Sequence, residues 1–72
     1  MAITPGQIFQ DGMRLHSAIR RLRRMGLDEG TARKLDTAGP TCGGLELAEE
    51  LLAAGPETVR EVARLATQEA SA

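Results

Sequence analysis

The sequence predicts an all-α fold: one small bundle of about four helices, over residues 5–25, 29–38, 44–54 and 56–70. Three observations lead there. Apolar residues return at steps of three and four, the repeat of a helix face rather than of a strand. Glycine and proline fall between those stretches, where helices stop and start. Phe9 is the only aromatic residue, and β-branched or aromatic strand formers are scarce. The core must therefore be built from Leu, Ile, Val, Met and Ala.

The first helix starts at Thr4-Pro5-Gly6-Gln7. Thr4 is a capping residue, Pro5 suits the first helical position, and Gln7 completes a capping box. Ile8, Gly12, Leu15, Ile19 and Leu22 then form an apolar stripe, which Phe9, Met13 and His16 widen. Gly12 costs about 1 kcal/mol against Ala in a helix interior; it marks either a close helix approach or a break near Asp11. Arg20, Arg21, Arg23 and Arg24 fill the last two turns, where the helix dipole favours cations. Gly26 ends the helix in the manner of a left-handed terminal residue.

Asp28 is a good N-cap for the second helix, and Leu27 can staple onto Ala32. Ala32 and Leu35 face inward, and Gly39-Pro40 stops the helix. Residues 39–44, GPTCGG, form a loop. The third helix carries Leu45, Ala48, Leu51 and Leu52 on one side and Glu46, Glu49 and Glu50 toward the other. Gly55-Pro56 separates it from the fourth, whose apolar side is Val59, Val62, Ala63, Leu65 and Ala66. Residues 1–72 read as a single domain with loose ends at 1–3 and 68–72.

A chain of 72 residues buries only roughly 60% of the surface it exposes when unfolded. Chains this small gain stability from disulfides, a metal or a partner. One cysteine, Cys42, cannot bridge internally, and one histidine, His16, cannot build a zinc site. That leaves a partner: another protein, or a homo-oligomer. No apolar run approaches the roughly 20 residues that span a bilayer, and no apolar signal segment follows Met1. The expected location is the cytoplasm or an assembled particle, with no membrane partner.

Charge is polarised. Residues 1–36 hold seven basic and four acidic side chains, a net +3; residues 37–72 hold two and six, a net −4. Either the halves complement each other, within the fold or between subunits, or the basic face is kept for an acidic partner.

Little in the sequence points to reaction chemistry. Nucleophilic catalysis needs a nucleophile, a base and an orienting group, and Cys42 with His16 is the only candidate pair. The helix dipole could activate Cys42, but an inert loop cysteine explains it as well. The glycine-rich loop lacks the Lys-Ser/Thr ending of a phosphate loop and follows no strand. Glu46, Glu49 and Glu50 read as a solvated helix face. No catalytic, cofactor-binding or metal-binding residues are assigned. The arginines are the clearest polar signal: Arg14, Arg21 and Arg24 share a face, and Arg20 flanks it. Phosphate contacts need such clustering, yet no aromatic residue offers base stacking beside it. Residues 59–66 are faintly similar to the first helix of a helix-turn-helix unit, with no turn and recognition helix after it.

Residues 19–52 resemble a ubiquitin-associated (UBA-like) three-helix domain. The resemblance lies in a helix ending at Met25-Gly26-Leu27, a second helix with Ala32 and Leu35, a glycine turn, and then Leu45, Ala48, Leu51 and Leu52. It implies a three-helix fold that docks another protein through the Met25–Leu27 loop and the end of the third helix. Leu27 replaces the family's usual aromatic residue, and the loop at 40–43 is a few residues longer.

Together these observations lead to a non-enzymatic protein-interaction module: an adaptor, an inhibitor or a small subunit of a larger assembly such as a phage particle. The expected contact residues are Arg14, Arg20, Arg21, Arg24, Met25, Leu27, Leu51 and Leu52. The alternative is a nucleic-acid-binding accessory protein that uses the basic first helix.

Overall fold

The computed structural model describes residues 5–71; the Thr4 cap, the segment 1–3 and Ala72 lie outside the described residues. Four helices follow in order: α1 (Pro5–Met25), α2 (Glu29–Ala38), α3 (Gly44–Ala54) and α4 (Pro56–Ser71). The described residues are all-α, with no strand among them. Each helix touches the other three, and α1 packs most extensively on α3.

The helix boundaries follow from the punctuation in the sequence. Gly26 has φ 110°, a conformation that costs glycine little and other residues much. It lets the Leu27 N–H reach the Leu22 carbonyl and the Gly26 N–H reach the Arg23 carbonyl. These two bonds define a Schellman turn, in which the residue after the glycine packs back on the helix. Leu27 does so: it is 6% exposed and belongs to the same buried cluster as Leu22. Asp28 then caps α2, accepting from the Thr31 N–H at 2.8 Å. Ala32 is buried in the same cluster as Leu27, as the staple requires.

The α2–α3 turn is closed by contact rather than by a cap. Gly43, before α3, carries no side chain to cap it. The Gly44 N–H donates to the Gly39 carbonyl at 3.0 Å. A Cβ on Gly44 would stand 2.5 Å from the Leu35 carbonyl oxygen and 2.7 Å from that of Gly39. Only hydrogen fits there.

The core is Leu15, Ala18, Ile19 and Leu22 of α1, Leu27, Ala32 and Leu35, Leu45 and Ala48 of α3, and Val59 of α4. Met25, Leu51, Leu52 and Val62 pack around it half-buried. Val59 anchors α4, and the Arg60 side chain lies over the turn at Gly26.

The apolar stripe of α1 is buried only from Leu15 onward. Ile8, in line with Leu15, is exposed. Phe9, Met13 and His16 do not widen the buried face: Phe9 is 69% exposed and Met13 58%, and His16 is exposed with them. Gly12 marks neither a break nor a close approach. The helix is continuous through it, and a Cβ there would meet nothing within 4 Å. On α4, Leu65 is exposed while Val62, Ala63 and Ala66 are half-buried.

Candidate functional site

A helix turns about 100° per residue. Relative to the buried face of α1, residues 9, 13, 16, 17, 20 and 24 therefore fall on the side turned away from the bundle. Phe9, Gly12, Met13, His16, Ser17 and Arg20 line one open concavity there. Ser17, Arg20, Arg21 and Arg24 line the next. The outward face of α1 is thus graded, apolar toward its start and cationic toward its end.

The basic residues have different roles. Arg14 Nη2 donates to Glu49 Oε2 of α3 at 2.8 Å, and Arg14 Nη1 lies 3.7 Å from Asp11 Oδ1. Arg23 Nη2 donates to Glu29 at 2.8 Å. Arg20, Arg21 and Arg24 are exposed and make no ion pair among the described residues. Of the sequence-predicted contact residues, these three stand together. Arg14 is engaged within the fold, in a groove between α1 and α3 that Arg21, Glu49 and Leu52 also line.

Leu27 is a correction. The Schellman turn folds its side chain into the core, so it presents no docking surface. Met25, Leu51 and Leu52 are half-buried against the core and expose only an edge.

Phe9, Met13 and His16 belong to the outward face, whereas the periodicity of the sequence places them beside the inward one. The signal that locates them is a second stripe. Phe9, Met13 and Arg20 recur at four and seven, offset from the stripe of Leu15 and Leu22.

Cys42 is free and exposed, in the turn ahead of α3; its Sγ lies 3.9 Å from the Thr41 hydroxyl. His16 sits on the outward face of α1. Among the described residues, no group of three or more His, Cys, Asp or Glu is placed to hold a metal. No helix among them is long and apolar enough to cross a membrane.

Comparison with protein-family models, with curated proteins and with solved structures finds no match for this chain.

Proposed function

We propose that the chain is a non-enzymatic protein-interaction module, an adaptor, inhibitor or small subunit of a larger assembly, whose contact surface is the outward face of α1. The observation that carries this reading is the exposure of Phe9 and Met13 on the face that also holds Arg20 and Arg24, which make no ion pair among the described residues. Exposed aromatic and thioether side chains beside arginines are the composition of contact hot spots. The helix needs none of these side chains for its own packing, since Leu15, Ala18, Ile19 and Leu22 hold it to the bundle. A phage particle, or an assembly in the cytoplasm, is the setting proposed for such a module.

The UBA-like resemblance supports protein docking of a different kind, through the edges of Met25, Leu51 and Leu52. Burial of Leu27 leaves that surface without its central residue, so the α1 face is favoured.

Pull-down from the native host, with the wild-type chain and an Arg21→Glu/Arg24→Glu variant, tests the reading. A captured protein that is lost on charge reversal, with helicity retained, supports it. Capture that ignores the reversal, or capture of neither another protein nor a second copy of the chain, overturns it.

Arg20, Arg21 and Arg24, which make no ion pair among the described residues, also favour a second reading, a nucleic-acid accessory protein using α1. Binding to generic duplex should then fall steeply as salt rises. Absent or salt-independent binding removes it.

A further inference from the structure

We infer that the chain associates head to tail with copies of itself, the outward face of α1 on one copy seating the outward face of α3 on the next. This rests on the reading of α1 as a protein-contact face and names its occupant.

The α3 face complements the α1 face in two respects. Leu45 and Ala48 turn inward. Leu47, two residues on from Leu45 and so about 200° around the helix, is 48% exposed. Glu46 and Glu50 flank it, both exposed and neither in an ion pair among the described residues. Each face therefore sets apolar surface beside unneutralised charge, and the charges have opposite signs. Joining the faces covers Phe9, Met13 and Leu47 while giving Arg20 and Arg24 carboxylate partners. Such matched potentials fix register and exclude wrong partners. The same polarity marks the whole chain, +3 in residues 1–36 against −4 in residues 37–72.

Position sets the symmetry. The helices α1 and α3 pack on each other, and their inward residues share one core. We infer that the two outward faces, each turned from that shared core, lie on opposite sides of the bundle. Two surfaces so placed cannot meet reciprocally across one two-fold axis. The contact is heterologous, and it repeats into a ring or a filament. Each face presents only a few side chains of one helix, against the roughly 20–30 residues a side of a standard stable interface. Association is therefore weak and depends on concentration.

Sedimentation of the full chain tests this at low salt, from about 10 μM to about 1 mM, the range in which weak contacts dissociate. The variant Arg20→Glu/Arg24→Glu disables the α1 face. Leu47→Asp disables the α3 face and leaves it acidic, so the two disabled faces repel. All three positions are exposed, and circular dichroism checks that helicity is kept. The wild-type chain should grow beyond a dimer and disperse in 1 M salt, where the Debye length falls to about 3 Å. Each variant alone should remain monomeric. Their equimolar mixture should form a dimer and stop, because one intact α1 face meets one intact α3 face. A wild-type chain monomeric to about 1 mM overturns the inference. So does a wild-type dimer that grows no further, or a mixture that stays monomeric. In each of those cases capture of a different protein through α1 would leave the contact-face reading standing. Loss of both results would remove both.

Discussion

Arg14 Nη2 stands 2.8 Å from Glu49 Oε2 and ties α1 to α3 across 35 positions of sequence. The pair explains part of the chain's charge polarity. One arginine of the basic helix is neutralised by the acidic half within the same fold. Arg20, Arg21 and Arg24, further along α1, have no such partner among the described residues.

Both side chains of that pair are about half exposed, at 59% and 49%, so solvent screens their attraction. A double-mutant cycle of Arg14→Ala and Glu49→Ala should give a coupling of about 0.2–1 kcal/mol in urea unfolding, shrinking in high salt. A coupling of several kcal/mol would mean that the pair is buried in solution.

Two glycines inside or at the start of helices should respond oppositely to alanine. Gly44→Ala drives a methyl group into the Leu35 and Gly39 carbonyls, which are backbone and cannot rotate away. It should destabilise by about 1–3 kcal/mol. Gly12→Ala meets open space and should stabilise by up to about 1 kcal/mol. Chemical denaturation midpoints of the two variants check both signs.

Asp28 gives α2 a pH-dependent cap. Burial pushes its carboxyl pKa up, but hydrogen bonds from the Thr31 hydroxyl and backbone N–H outweigh that and hold it below the ordinary 3.8. The folded state thus releases this proton more readily than the unfolded state. The contribution is complete above the unfolded value and is lost as pH falls through the lower folded one. Asp28→Asn, still a good cap, should remove this part of the acid dependence. Asp28→Ala should cost about 1 kcal/mol at neutral pH. Unfolding curves between pH 2 and pH 7 would show an unchanged acid slope in Asp28→Asn if the account were wrong.

Cys42 is exposed, so a disulfide reagent should titrate one thiol per chain without denaturant. A thiol that reacts only after unfolding would place Cys42 in a contact with another chain or in a different turn.

The four helices were legible because their ends are chemical. Pro5, Gly26, Asp28, Gly39 and Gly55-Pro56 stop or start helices for local reasons that need no tertiary structure. The core seam of Leu15, Ile19 and Leu22 was legible for the same kind of reason. What periodicity does not carry is length of contact. It shows that Ile8 is in line with Leu15, but not that Ile8 is exposed while Leu15 is buried. Leu27 illustrates a second limit. Its place beside Met25-Gly26 fits a docking loop as well as a Schellman turn, and only the bonds to Leu22 and Arg23 decide between them. Arg14 illustrates a third: Asp11 stands near it in sequence, but Glu49, the partner that ties it to α3, lies 35 residues away.

The central claim is that α1 has two faces with separate tasks, the inward one holding the fold and the outward one free for contact. The most direct measurement is urea unfolding of a Phe9→Ser/Met13→Ser variant beside Leu22→Ala. Phe9 and Met13 are exposed, so the first variant should unfold within about 0.5 kcal/mol of wild type. Leu22, fully buried, should cost about 2–5 kcal/mol. A loss of several kcal/mol in the Phe9/Met13 variant would contradict the account, because it would show that the outward face is part of the core.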